Sequence, residues 1–141
     1  MSDTEFPPSW SAVPLGEIAE VRLGRQRSPD RANGPNMRSY MRAGNVTWSG
    51  VDTNDIKQMD FTPEEFETFR LRKGDLLVVE GSGSATEVGK PAIWNDEVAD
   101  CCFQNTLIRV RVPSPLVAWL HAHFRSDARS GKFAEASRGI G

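Results

Sequence analysis

Residues 81–90, Gly-Ser-Gly-Ser-Ala-Thr-Glu-Val-Gly-Lys, are the first place in the chain where residue type and spacing suggest chemistry. Glycine lets a backbone approach a ligand closely. A nucleotide cradle requires Gly, four residues, then Gly-Lys-Ser/Thr, because the Lys and the hydroxyl hold phosphate and Mg²⁺. Counting back from Gly89, the first glycine position holds Ser84, and Lys90 is followed by Pro91, which has neither N–H nor hydroxyl. The spacing excludes an NTPase loop. What is left is a pliable polar loop tipped by Lys90, suited to a polyanion. A plain surface loop accounts for it equally well.

A second constellation is Pro29-Asp30 with Asp55-Ile56-Lys57, the loose outline of a Mg²⁺-dependent nuclease. Such sites gather carboxylates around a hard cation, with a Lys beside the attacking water. The outline is degenerate, and Asp30 falls in an arginine-rich loop rather than on a strand. The chain lacks an Asn-Pro-Pro-Tyr/Phe segment, a Gly-x-Ser-x-Gly elbow and a dinucleotide fingerprint. His121 and His123 are two apart on an expected helix, so they face different ways. Cys101 and Cys102 are adjacent and on a strand would point to opposite faces, which suits apolar filling better than a disulfide or a shared metal. No cofactor or metal is expected.

Charge carries more information in its distribution than in its sum. The formal net charge is -2, which excludes a globally basic nucleic-acid binder. From Arg22 to Arg42 there are six arginines (Arg22, Arg25, Arg27, Arg31, Arg38, Arg42) against Asp30 alone. From Asp52 to Glu67 six acids face only Lys57, and from Arg109 to Arg138 six bases face two acids. Two basic stretches bracket an acidic one. They make a cationic face if they converge in space, and two separate solvated faces if they do not.

The elements that must position these residues follow from periodicity. At 141 residues with 38% hydrophobic composition, the chain is read as one domain, 10–141, behind a loose leader, 1–9. No run approaches the ~20 apolar residues of a membrane span, and the acidic N-terminus is unlike a signal peptide, so the expected location is the cytoplasm. Strands are predicted over 15–23, 37–48, 56–61, 76–80, 91–94 and 102–112. Along the last, Val110 and Val112 alternate with Arg109 and Arg111, which predicts a core side and a row of guanidiniums. Gly24 to Asn36 is a long irregular loop, of a length that is often functional.

A helix is predicted from Thr62, with Pro63 at its first position and Glu65 completing a capping box, closing at Lys73-Gly74-Asp75. A second opens at Ser114-Pro115, with a stripe of Leu116, Trp119/Leu120 and His123/Phe124. Residues 131–137 add one more turn. The expected fold class is α+β: a twisted, mostly antiparallel β-rich domain with two or three short helices. The chain stops after Arg138-Gly139-Ile140-Gly141 without a closing element, which reads as a C-terminal truncation.

Five segments together resemble the target recognition domain of type I restriction-modification DNA specificity subunits. They are Leu15-Gly16-Glu17-Ile18, Arg-Ser-Tyr-Met-Arg-Ala-Gly-Asn-Val at 38–46, Phe-Arg-Leu-Arg-Lys-Gly-Asp-Leu-Leu at 69–77, Cys102 to Leu107, and Ser137-Arg138-Gly139. The likeness runs from about Trp10 to the end. It implies an α/β module that reads one half of a bipartite duplex DNA site and holds no catalytic residues. The implied partners are double-stranded DNA, a modification (methyltransferase) subunit, a restriction subunit and a second specificity half-subunit, with no membrane. The family joins two such domains by long helices; this chain has one domain and no long spacer helix.

On that reading, arginines and Lys90 neutralise phosphates, while Arg or Lys reads guanine and Asn or Gln reads adenine. The candidates are Arg25, Gln26, Arg27 and Arg38 near the first loop, Arg42 and Asn45 at a strand edge, and Ser82, Ser84, Thr86 and Lys90 in the Gly/Ser loop. Gln104 and Asn105 complete the set; being adjacent on a predicted strand, at most one of them faces DNA. The nuclease and a protein-interaction domain or inactive remnant stay open as alternatives.

Overall fold

The computed structural model describes residues 19–81 and 85–129. Among the described residues nine strands and two α-helices form four layers. A four-stranded antiparallel sheet has the order β1-β9-β6-β7, from β1 (Glu20–Leu23), β9 (Leu107–Arg111), β6 (Leu76–Val79) and β7 (Pro91–Ile93). A three-stranded sheet has the order β5-β2-β8, from β5 (Lys57–Asp60), β2 (Met37–Met41) and β8 (Cys102–Phe103). β2 runs antiparallel to β5 and parallel to β8. A small hairpin joins β3 (Val46–Thr47) to β4 (Gly50–Val51). Helix α1 (Pro63–Phe69) covers the three-stranded sheet and α2 (Ser114–Arg129) the four-stranded one. The fold is α+β, as expected.

Three apolar clusters lie between these layers. β6, Leu76-Leu77-Val78-Val79, is buried on both faces, which is why it reads as an unbroken apolar run rather than an alternating one. Leu77 and Val79 join Met41, Trp94, Phe103 and Leu107 between the two sheets. Leu76 and Val78 turn the other way, against Val117 and Leu120 of α2. Tyr40, Met59, Phe61 and Cys102 pack against Phe66 and Phe69 of α1. Cys101 belongs to the first cluster and Cys102 to the last, so strand alternation places the two thiols in different cores. Burial raises both thiol pKa values, that of Cys102 to about 12.

Several predicted boundaries move. The strand 37–48 ends at Met41, where Arg42 enters a 3-10 turn, Ala43–Asn45. The strand 102–112 splits into β8 and β9 around a turn at Gln104–Thr106. Helix α1 starts as predicted: the Glu65 N–H donates to Thr62 Oγ1 at 3.1 Å, and the Thr62 N–H donates to Glu65 Oε1 at 2.8 Å. It ends four residues early, at Phe69. Arg109 takes up the Thr68 and Arg70 carbonyls at 3.0 Å each, and the Leu71 N–H donates to Cys101 O. Tertiary acceptors and donors replace the next helical turn. Gly74 instead turns the chain at φ +94°, in a loop closed by the Asp75 N–H on Arg72 O. The buried stripe of α2 centres on Val117, Leu120 and Ala128, with Trp119 and Phe124 partly covered, and Leu116 lies at its margin. The leader 1–9, the start of the first predicted strand at 15–18, Ser82, Ser84 and the turn at 131–137 lie outside the described residues.

Candidate nucleic-acid interface

The turn at Gln104–Thr106 ties four connections together. The Arg25 N–H donates to Phe103 O at 3.1 Å, and the Asn105 N–H donates to Arg25 O at 3.0 Å, so Arg25 lies alongside Gln104 in parallel. The Gln104 N–H donates to Met41 O at 2.9 Å, and the Ala43 N–H to Thr106 Oγ1 at 3.0 Å. The Glu80 and Gly81 N–H groups both donate to Thr106 O, at 2.9 and 3.2 Å. The loops that follow β1, β2, β6 and β8 therefore all leave from one end of the domain. The long first loop and the Gly/Ser segment are both anchored there.

Topology is the cause. β2 and β8 run parallel and end together, while β9 runs antiparallel to both β1 and β6 and starts where they end. Binding residues carried on loops over a rigid sheet are a common arrangement. Gln104 and Asn105 sit half-exposed in a turn, so strand alternation no longer limits them to one outward side chain. Gln26 and Arg27 are exposed on the first loop, and Thr86 is exposed in the described part of the Gly/Ser loop. Beside them a cleft of about 540 Å³ opens between the first loop and the β2–β5 edge, lined by Arg27, Ser28, Pro29, Tyr40, Lys57 and Gln58 among others.

Other sequence candidates are engaged within the fold. Arg25 is 8% exposed. Its Nε donates to Glu65 at 2.9 Å and its Nη1 to Asp60 O at 2.8 Å, over the Phe61 ring. Arg38 lies over the Phe66 ring with its carbon 4.1 Å from the centroid, and pairs with Asp100 at 3.8 Å. Arg42 pairs with Asp55 at 2.6 Å and also donates to Asn45 Oδ1 at 3.0 Å. Asn45 is buried, and its amide donates to Asp52 O and Asp55 O. Lys90 is buried and pairs with Glu87 at 2.7 Å. Arg25, Asn45 and Lys90 shape the loops from inside, while Arg38 and Arg42 are half-exposed and paired.

The pairing of charges differs from convergence of the two basic stretches. Arg31 also reaches Glu65 at 2.7 Å and Asp60 at 3.5 Å, so the first basic stretch is largely neutralised by the acidic one. The expected row of guanidiniums on β9 is likewise internal. Arg109 is 1% exposed and bonds Glu20 at 2.7 Å, and Arg111 bonds Asp75 through two nitrogens at 2.8 Å each. Alternation correctly separated these arginines from Val110 but could not show that their face is covered.

In the nuclease outline, Asp55 is held by Arg42 and Lys57, and Asp30 accepts from Ser28. Among the described residues, no group of three His, Cys, Asp or Glu side chains could hold a metal ion.

The Glu65 cluster has a pH signature. Burial opposes its charge, but the Thr62 N–H and the Arg25 and Arg31 guanidiniums outweigh burial and lower its pKa. A carboxyl whose folded pKa is depressed stabilises the fold above its unfolded value, and this contribution fades as pH falls through the folded one. Stability is therefore expected to drop below about pH 4.5, near the ordinary glutamate value. Urea denaturation across pH 3–7 should show a shallower acid decline in Glu65→Gln. Parallel declines in both proteins would remove Glu65 as a source.

Comparison with known proteins bears on the fold. No protein-family model matches the chain, and no curated protein does. Among solved structures it is similar to the crystal structure of the HsdS subunit from Thermoanaerobacter tengcongensis, with a TM-score of 0.61 and 20% identity over 89% of this chain and 29% of that one. It is also similar to a chain from a structure of the type I R-M system, described for its complex assembly and conformational transition, with a TM-score of 0.55 and 19% identity over 86% of this chain and 30% of that one. Among the described residues no helix is long and apolar enough to cross a membrane. The chain spans less than a third of these relatives' length, and over that span its fold is the one found in HsdS, the specificity subunit that its sequence motifs resemble.

Proposed function

We propose that this domain reads one half-site of duplex DNA in the cytoplasm, as a non-catalytic target-recognition module of a type I restriction-modification specificity subunit. In that setting it directs a modification (methyltransferase) subunit and a restriction subunit to the site. One observation carries the reading: four connections are anchored on a single turn at one end of the fold, and three of them bear exposed Gln26, Arg27 and Thr86 and half-exposed Gln104 and Asn105.

The division of labour follows from groove chemistry. Arg27 is an always-charged donor near the mouth of a cleft that also holds Lys57, and it suits phosphate or guanine. Gln104 and Asn105 each carry a paired donor and acceptor, the pattern that matches the major-groove edge of adenine. Arg25, Arg38, Arg42, Asn45 and Lys90 support the loops that present these groups. Ser82 and Ser84, outside the described residues, are proposed as further contacts.

Selection from a randomised duplex library, followed by salt titration of the winning sequence, tests this. A defined half-site should emerge, and log affinity should fall linearly with log salt. Arg27→Ala should flatten the slope by about one unit if Arg27 holds phosphate. Gln104→Ala with Asn105→Ala should relax the preference at particular positions by about 1–3 kcal/mol per lost contact. A pool that enriches no sequence and binds without salt dependence would end this reading.

A further inference from the structure

We propose that Trp48, Arg125 and Arg129 form a phosphate clamp that grips the DNA backbone beside the bases being read; it rests on the function proposed above. Trp48 lies at the tip of the β3–β4 hairpin, half-buried. Three cations surround its indole: the Arg129 guanidinium carbon is 5.0 Å from a ring centroid, and those of Arg125 and the Lys90 Nζ are each 5.7 Å away. Arg125 also donates a hydrogen bond to the Trp48 carbonyl. Lys90 is neutralised by Glu87. Neither arginine has a carboxylate partner among the described residues, although Asp127 lies between them in sequence and pairs with His123.

Arg125 and Arg129 are one helical turn apart, so they share a face, and like charges at that spacing repel. The indole face attracts a cation by about 0.5–1 kcal/mol at an exposed site, which holds the two guanidiniums in place without cancelling their charge. The arrangement thus keeps two planar forks close together with no carboxylate on either among the described residues. A phosphate matches that geometry, because guanidinium donates two parallel N–H bonds to its oxygens.

The clamp is well placed. The Val79 N–H donates to Lys90 O, and the next residue, Glu80, donates its N–H to Thr106 O on the shared turn. The Trp48 cluster therefore flanks the proposed reading surface on its β7 side, next to the Gly/Ser segment. A contact to the sugar-phosphate backbone there would fix the register of the domain without selecting bases.

The test uses the full chain and two duplexes, a random-sequence one and the selected half-site. Arg125→Gln with Arg129→Gln should flatten the log–log salt slope by about one unit on both duplexes, since the clamp neutralises one phosphate at about 0.9 per phosphate. The bases preferred in selection should be unchanged. Arg125→Lys with Arg129→Lys retains the charge and should keep the wild-type slope, which separates electrostatics from folding damage. Thermal unfolding of each variant supplies the folding control. A wild-type slope in a folded glutamine variant overturns the clamp while DNA reading stands. Altered base preference with an unchanged slope also overturns it, by making these residues readers. Failure of the wild-type protein to bind either duplex removes the functional reading and the clamp with it.

Discussion

Asp75→Ala is expected to cost about 3–5 kcal/mol of folding stability, the loss typical when one partner of a buried ion pair is removed. Asp75 is 1% exposed. One carboxylate oxygen accepts from Arg111 Nε, the other from Arg111 Nη2 and the Arg72 N–H, all at 2.8 Å. The substitution leaves Arg111 only the Arg70 carbonyl at 3.3 Å and Glu20 at 3.9 Å, and removes the acceptor of a turn N–H. Folded domains hold only about 5–15 kcal/mol in all, so the variant should sit close to its unfolding transition. Urea titration measures the loss. Asp75→Asn retains an acceptor oxygen for the turn and should lose less. Pairing Asp75→Leu with Arg111→Met should recover part of the loss, because the cost of an uncompensated charge disappears. A loss below about 1 kcal/mol would show that the pair behaves like an exposed one.

Gly24→Ala should be the other severe substitution, through space rather than charge. A Cβ at this position would stand 2.1 Å from the Gln104 carbonyl oxygen, 2.3 Å from its carbon and 2.8 Å from the Phe103 ring. Two of those atoms are backbone, so no side-chain rotation relieves the contact. Either the end of β1 or the shared turn must move, and with it the Gly24 N–H bond to Leu107 O and the reciprocal bonds of Arg25. Overpacking of this kind costs about 1–3 kcal/mol and sometimes more. DNA affinity should fall as well, because the displaced turn anchors every proposed reading loop. Gly81→Ala is the matched control: nothing lies within 4 Å of its added Cβ. Stability within about 0.5 kcal/mol of wild type is expected there. Equal behaviour of the two variants would mean that the turn yields freely.

Local rules made much of this architecture legible. Thr62, Pro63 and Glu65 announced a helix start, the apolar run Leu76 to Val79 a strand, and adjacent cysteines opposite faces. Each depends on neighbours within a few residues. The misses depend on partners far away. β2 ends where Thr106 offers a side-chain acceptor to Ala43, and α1 ends where Arg109 captures its carbonyls. The fate of the arginines was hidden for the same reason. Arg25 reads as a loop cation until Glu65, forty positions along, is folded against it. The grouping of Trp48 with Arg125 could not be read either, since an indole in a hairpin and a helix stripe carry no mutual signal. Counting Arg125 and Arg129 in a basic stretch was as near as the chain alone allowed.

The antiparallel register of β1 with β9 joins residues 20–23 to 108–111, far apart along the described chain. A nascent polypeptide leaving the ribosome therefore waits with its first strand unsatisfied until almost ninety further residues have emerged. Closure of so wide a loop favours slow, late-completing folding. Until then an amide ladder and the apolar side chains of β6 stay open to neighbours, which makes synthesis rate and chaperone supply the practical determinants of soluble yield.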